Sequence, residues 1–164
     1  MTTLFAVECF ADEDVVAFVR DGLHLDIKRY HSFSQGEVIQ DVFVRHLASI
    51  GMVDEDPGKS HHGLRDEMQR VFSGVQLEVR RRDARHLIIV KPELEDCFLD
   101  AMRRVGLESS LGTIARDLQT VLNIPKHPKH KIFQQELAAL YKRSRERKIA
   151  TFVTELDDIL PKYL

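Results

Sequence analysis

Apolar and polar positions along the first two thirds of the chain predict strands and helices in alternation. The apolar runs at residues 4–7 and 86–90 predict buried strands, because a strand covered on both faces loses the two-residue alternation. Apolar residues recur at helical spacing after Asp12, after Ser34 and after Pro92, which predicts three amphipathic helices.

Weaker patterns fill the gaps between these elements. Residues 26–33 are predicted to hold a second strand, residues 48–54 the end of the helix after Ser34 and a third strand, and residues 60–72 a helix. Residues 75–79 alternate as an edge strand would, and the arginines that follow at 80–82 are typical of a protected sheet edge. This alternation predicts an α/β fold, with a Rossmann-like, mostly parallel sheet flanked by helices on both faces.

After residue 106 the pattern is helical only. We expect a helix from Ser109 or Ser110 to Leu122, a proline-rich break at "IPKHPKH", a long helix from about residue 131 and a last one at 151–160. The chain is therefore predicted to divide into an α/β domain at 1–106 and a helical extension at 107–164. The extension should pack on the domain through its apolar positions: Ile114, Leu118, Leu122, Phe133, Leu137 and Leu140.

Composition and charge narrow the class of protein. The 164 residues are 43% hydrophobic and 30% charged, which is typical of a globular protein with a real core. The formal net charge of -2 gives no overall attraction to nucleic acid, so any such binding must come from a local patch. Two cysteines, a start without a basic segment and the lack of a long apolar run favour a cytoplasmic protein.

Acidic residues follow three of the predicted strands. Glu8 ends the first strand, Asp54 and Asp56 end the third, and Lys91 followed by an acidic segment ends the strand at 86–90. The carboxyl ends of parallel strands share one edge of a sheet, so these carboxylates should lie close together and repel one another. A hard divalent cation, Mg²⁺ or Mn²⁺, would relieve that repulsion.

Each acid also has a simpler interpretation when it is taken alone. Asp12 suffices as a helix cap, and Glu93 and Glu95 lie in the first helical turn, where the helix dipole favours negative charge. Asp-x-Asp before Pro-Gly is also common in turns. The coincidence of acids at several strand ends, and not any one of them, favours the metal site.

Two stretches resemble a known domain. "VECFADEDVV" and "GMVDEDPG" are similar to the TOPRIM pattern, in which a glutamate ends the first strand and Asp-x-Asp ends the third. The resemblance covers roughly residues 3–106 and is closer to the TOPRIM domains of OLD-family nucleases and to small stand-alone bacterial TOPRIM-like proteins. In the latter, "PELEDCFL" also looks familiar as an acid-x-acid helix start. Cys9 departs from the pattern, since the family commonly has glycine there.

The resemblance implies roles for individual residues. Glu8 would be a general base or a metal-linked acid, and Lys91 would approach the scissile phosphate. The implied metal ligands are Glu8, Asp12, Asp54 and Asp56, with Glu93 and Glu95 as possible additional acids. The implied cofactor is Mg²⁺ or Mn²⁺, and the family commonly carries an ATPase, topoisomerase or primase body that has no counterpart here.

Basic residues form two local groups. Arg80, Arg81 and Arg82 in "RRRDAR" could neutralise phosphates of DNA or RNA, and so could "YKRSRERK" at 141–148. A solvated strand edge and the basic end of a helix explain the same residues without nucleic acid. The histidines lack the cysteine partners or H-E-x-x-H spacing of a zinc site, and no phosphate-binding P-loop is present.

Three functions stay open from the sequence. The first is metal-dependent phosphoryl transfer on DNA or RNA, most simply as a nuclease. The second is a non-catalytic TOPRIM-like regulatory or binding subunit that works with a separately encoded ATPase. The third, a phospho-acceptor receiver domain, also places acids after its first and third strands, but residues 107–164 have no counterpart in it.

Overall fold

The computed structural model describes residues 2–32, 34–55 and 67–164. These residues form six strands and six helices. The strands are β1 (Thr3–Val7), β2 (Ile27–His31), β3 (Ile50–Asp54), β4 (Gln69–Ser73), β5 (Leu77–Arg82) and β6 (Arg85–Val90). The helices are α1 (Phe10–Leu23), α2 (Gln35–Phe43), α3 (Leu94–Arg104), α4 (Ala115–Leu122), α5 (Lys129–Arg147) and α6 (Phe152–Tyr163). None of these helices is long and apolar enough to cross a membrane.

The six strands form one mixed sheet in the order β2-β1-β3-β6-β5-β4. The first four strands of this order run parallel to one another, β5 pairs in antiparallel fashion with β6, and β4 pairs in antiparallel fashion with β5. The predicted α/β architecture is confirmed and is consistent with a Rossmann-like fold. Because β1, β3 and β6 are adjacent and parallel, their carboxyl ends share one edge of the sheet, as predicted.

The antiparallel part of the sheet differs from the prediction. The strand expected at an edge is β5, which pairs with both β6 and β4, so β4 forms the edge instead. β4 occupies residues 69–73, the end of the segment predicted as a helix at 60–72. Apolar residues at 71 and 72 suit either period, and the pairing of Phe72 with Val79 decides for the strand. Residues 60–66 of that segment lie outside the described residues.

Two faces of the sheet are covered differently. α2 covers one face, where Val38 and Val42 lie against Gly51 so closely that a Cβ at position 51 would collide with both. The other helices pack on the opposite face in a single apolar cluster that joins residues of the sheet with residues of α4, α5 and α6. The helices after residue 107 therefore share a core with the α/β part.

The C-terminal helices begin and end close to the predicted positions, with one exception. α4 begins at Ala115, because Ser109 and Ser110 both donate to the carboxylate of Glu136 on α5 and so do not cap a helix. Ile114 is 57% exposed, contrary to its predicted packing role. The other predicted packing residues are fully buried: Leu118, Leu122, Phe133, Leu137 and Leu140.

Two polar side chains fasten α6 to the sheet. The carboxylate of Glu155 accepts hydrogen bonds from the backbone N–H groups of Val75, Gln76 (3.2 Å) and Leu77 (2.9 Å), just where β5 begins. The side chain of Gln76 accepts from the N–H of Phe152 at 2.9 Å and donates to the carbonyl of Cys97 at 3.0 Å. These contacts hold α6 and α3 against the same end of β5.

Candidate metal centre

The first acids of the site come from the turn between β1 and α1. Cys9 is the extended N-cap residue of α1, and its backbone N–H donates to Oδ2 of Asp12 at 3.1 Å. The sequence predicted Asp12 as the N-cap residue of this helix, but the N-cap lies three residues earlier, and Asp12 caps α1 from the third helical position. It is also only 1% exposed, so its carboxylate is held inside the protein beside the end of β1. Glu8 immediately precedes this cap.

Asp54, the last residue of β3, connects three elements. Its backbone N–H lies 3.4 Å from Oε2 of Glu8, so the ends of β1 and β3 bring these two acids together. Its side-chain Oδ1 accepts a hydrogen bond of 2.9 Å from the N–H of Leu94, the first residue of α3. Its carbonyl oxygen accepts from the side chain of Gln35 on α2.

The start of α3 supplies two more carboxylates. After β6 the chain passes through a cis Lys91–Pro92 bond, Glu93 is the N-cap of α3, and Glu95 is in its first turn. Asp54, Glu93 and Glu95 each place a carboxylate oxygen within 4.8 Å of the others. Gln119 of α4 donates to Oε1 of Glu93 at 3.3 Å, so the helical extension also reaches this edge.

Five carboxylates at this edge of the sheet lie close enough to repel one another. We call them the acidic cluster: Glu8, Asp12, Asp54, Glu93 and Glu95. Burial, with repulsion by Asp12, Glu95 and Glu8, raises the pKa of Asp54 to about 9. Burial and the nearby Glu8 and Glu95 raise the pKa of Asp12 to about 8. Burial, Glu93, Asp96 and Glu8 raise the pKa of Glu95 to about 7. The cluster thus favours protons, or another cation, over a set of ionised carboxylates.

The stability of the metal-free protein should therefore fall as the pH rises. The carboxyls of Asp12, Asp54 and Glu95 bind protons more tightly in the folded chain than in the unfolded one, where their pKa values return to 3.8 to 4.5. Above the unfolded values the native state holds more protons, so each pH step costs stability until the folded values of about 7 to 9 are passed.

Thermal melts in a chelator from pH 5 to pH 9, about the range these pKa values span, measure this loss. We expect the melting temperature to decrease steadily across that window. Asp54→Asn removes one of the titrating groups and should flatten the decrease. A wild-type melting temperature that is constant or rises over the window would contradict the proposed crowding of buried acids.

The basic residues predicted for catalysis and nucleic-acid binding lie on the antiparallel side of β6. Nζ of Lys91 is 2.9 Å from Oε2 of Glu78 on β5, and Arg80 pairs with the same carboxylate. Burial would raise the pKa of Glu78, but these two cations lower it below its ordinary value. Arg81 donates to Gln69 at 3.0 Å and Arg82 to the carbonyl of Phe43 at 3.0 Å.

The register of β5 separates its arginines from the acidic cluster. Leu77 lies opposite Val90 at the carboxyl edge, whereas Arg82 lies opposite Arg85 at the other end of β6. Five residues of strand at ~3.3 Å each put roughly 16 Å between these two ends. The structure brings together Glu8, Asp12, Asp54, Glu93 and Glu95 at one edge. It places Arg81 and Arg82 toward the other edge, with Arg80 in the middle of the strand opposite Leu87. The predicted ligand Asp56 lies outside the described residues.

Two cysteines next to the acidic cluster were not predicted as part of it. Burial, together with the charge of Asp12, raises the pKa of the Cys9 thiol, and burial with the charge of Asp54 does the same for Cys97. Cys97 donates its S–H to the carbonyl of Lys91 at 2.9 Å. Both shifts favour the neutral thiol, so neither cysteine adds negative charge to the acidic cluster.

The donor set therefore fits a hard divalent cation. Asp54, Glu93 and Glu95 supply three carboxylates at mutual distances that one ion can bridge, and Glu8 lies against Asp54. Sequence spacing indicated the acids but not Gln35 and Gln119, whose contacts with Asp54 and Glu93 arise from tertiary packing alone. Comparisons with protein-family models, with curated proteins and with solved structures found no match for this chain.

Proposed function

We propose that this chain is a TOPRIM-like, metal-dependent phosphoryl-transfer protein that acts on nucleic acid, with nuclease-like chemistry. The observation that supports the proposal is the acidic cluster at the shared carboxyl edge of β1, β3 and β6. Buried carboxylates with raised pKa values are costly to assemble, and a bound Mg²⁺ or Mn²⁺ would offset that cost.

The proposed roles of the residues are metal coordination and proton transfer. Asp54, Glu93 and Glu95 are the proposed ligands because their oxygens already lie within 4.8 Å of one another. Glu8 lies beside Asp54 and is more accessible than Asp12, so it is the proposed general base for an attacking water. The bound cation would stabilise the charge that develops on the phosphate. Asp12 caps α1 and adds its negative charge to the acidic cluster.

One observation favours the non-catalytic alternative, a regulatory subunit that works with a separate ATPase. Lys91 is ion-paired with Glu78, on the side of β6 away from β3. A nuclease site needs a cation to balance charge at the scissile phosphate, whereas the charge of Lys91 is balanced by Glu78 on β5. A chain of this kind could keep its metal and bind nucleic acid without cutting it.

Digestion of supercoiled plasmid and of a labelled RNA tests the catalytic form of the proposal. We expect cleavage with Mg²⁺ or Mn²⁺, none in a chelator, and a loss of at least ~100-fold in rate for Glu8→Gln and Asp54→Asn, the order of effect that an acid–base group supplies. Asp158→Asn on α6, whose side chain is 70% exposed, is the matched control and should cleave normally.

The results of these assays distinguish a nuclease from a non-catalytic regulatory subunit. Cleavage that survives in Glu8→Gln and Asp54→Asn comes from a contaminant and contradicts the proposal. Wild-type protein that shows metal-induced stabilisation but no cleavage of either substrate supports the regulatory alternative. Protein that shows neither metal binding nor cleavage overturns both.

A further inference from the structure

The break between α4 and α5 forms a basic loop at the same edge as the acidic cluster. We define the lysine loop as residues 124–131, "IPKHPKHK", which include the first three residues of α5 and contain three lysines and no acidic residue. Contacts near its two ends connect it to α3 and α1, the two helices that carry acids of the cluster. Gln119, on the helix that leads into the loop, contacts Glu93, and His130 contacts Asp14 on α1.

Hydrogen bonds hold the lysine loop in one conformation. His130 contacts the Asp14 carboxylate through Nδ1 and the carbonyl of Ile124 through Nε2 at 2.8 Å, and so closes the loop on itself. The backbone N–H of Lys129 donates to Nδ1 of His127 at 3.1 Å. Gln134 adds a bond of 3.0 Å to Asp14. A loop ordered in this way presents its side chains without paying much ordering entropy on binding.

The lysines of the loop are not used to hold the fold together. No ion pair joins Lys126, Lys129 or Lys131 to a carboxylate within the described ranges, and Lys126 and Lys131 are exposed. Lys126 has a φ of 60°, in the left-handed region where a lysine costs energy that glycine would avoid. In contrast, Arg80 and Lys91 are both committed to Glu78.

The lysine loop also borders an open cavity beside the acidic cluster. Lys126, His130 and Pro125 line a cavity of about 310 Å³ together with Phe10, Glu13 and Asp14 of α1. α1 begins at Phe10, two residues after Glu8, and also carries Asp12, so the cavity and the acidic cluster share the first turns of one helix. A polyanion bound along the loop would therefore run toward the acidic cluster, whereas one bound at Arg82 would lie at the opposite edge of the sheet.

We propose that the lysine loop is the nucleic-acid-binding surface of the protein and that Lys126, Lys129 and Lys131 contact backbone phosphates next to the metal centre. This inference rests on the proposed function and specifies which surface recognises its substrate. It gives the helical extension a role in binding. Recognition of this kind is electrostatic and independent of sequence, and DNA and RNA offer the same phosphates.

Fluorescence anisotropy in a chelator tests the inference without any metal or catalysis. The probes are a labelled DNA duplex and an RNA duplex of the same sequence, titrated between about 50 and 200 mM salt. The test variant is the triple substitution Lys126→Gln, Lys129→Gln and Lys131→Gln. The control variant removes three basic residues outside both the lysine loop and residues 141–148, by Lys28→Gln, Arg70→Gln and Lys162→Gln, and so has the same net charge.

We expect the test variant to bind at least ~10-fold more weakly than wild type at the upper salt concentration, with the slope of log affinity against log salt reduced by about 2 to 3. The control variant should match wild type. Binding of DNA only, or of RNA only, would assign the substrate. Equal binding by test and control variants, or no binding of either probe by wild type, would overturn the inference.

The metal-induced rise in melting temperature keeps this result separate from the proposed function. It should be unchanged in the lysine variant, because none of the three lysines belongs to the acidic cluster. If metal does not raise the melting temperature of wild type, but nucleic acid still binds through the three lysines, the metal centre alone is refuted. If metal raises the melting temperature of wild type, but the lysine substitutions leave nucleic-acid binding unchanged, the lysine loop alone is refuted.

Discussion

Replacing Glu155 with alanine is expected to lower the free energy of unfolding by about 3 kcal/mol, since two buried backbone N–H groups and a third, partly buried one lose their acceptor. Those groups belong to Val75, Gln76 and Leu77, and Glu155 itself is 6% exposed. Gly74 adjoins this carboxylate so closely that a Cβ there would collide with it. Urea unfolding followed by circular dichroism measures the change.

Asp158→Ala is the control for this variant on the same helix. Its side chain is 70% exposed and lies 3.7 Å from the exposed Arg145, so we expect a change within ~0.5 kcal/mol. If Glu155→Ala is no more destabilising than Asp158→Ala, the contact between α6 and β5 contributes little, and the extension is less integral than its buried core indicates.

The position of Glu155 shows why the domain division is hard to read from the sequence. An acid in the first turn of a predicted helix is explained by the helix dipole alone. In the fold, it is the acceptor for the turn that leads into β5, roughly eighty positions earlier in the chain. Local spacing carries no information about such a contact. The amphipathic pattern did predict that Leu118, Phe133 and Leu137 would be buried.

The same limit explains β4. A run of five residues with apolar side chains at 71 and 72 is compatible with a helix or a strand, and only the partner strand β5 decides between them. β1 and β6 were easier to predict, because they are largely buried and consist of short apolar runs bounded by polar residues. The pattern alone did not separate the start of β3 from the end of the preceding helix.

The candidate site was partly predictable for a topological reason. Once β1, β3 and β6 are parallel and adjacent, Glu8, Asp54 and the residues after Val90 must meet at one edge. Which side of β6 the following residues face does not follow from that rule. Glu93 and Glu95 face Asp54, whereas Lys91 faces Glu78, and only the structure distinguishes them.

Addition of Mg²⁺ or Mn²⁺ is expected to raise the melting temperature of the wild-type protein. A cation present at ~100 times its dissociation constant stabilises the folded state by about 2.7 kcal/mol, and a domain of this size gains roughly 2 to 4 °C per kcal/mol. The rise should therefore be about 5 to 10 °C. It should be larger at pH 9 than at pH 6, because the pKa of Asp54 is raised to about 9 and a metal must displace its proton.

Asp54→Asn should abolish this rise while preserving the fold, since an asparagine oxygen can still accept the hydrogen bond from Leu94. Without metal, the variant should match wild type at low pH, where Asp54 is protonated, and exceed it at high pH, where wild type carries one more repelling charge. Glu55→Gln is the matched control at the neighbouring position, and it should keep the full metal effect. Differential scanning calorimetry of the three proteins with millimolar metal and with chelator decides the matter. A wild-type melting temperature that does not respond to metal, or an equal response in Asp54→Asn, would show that the acids at this edge serve only as caps and turn residues.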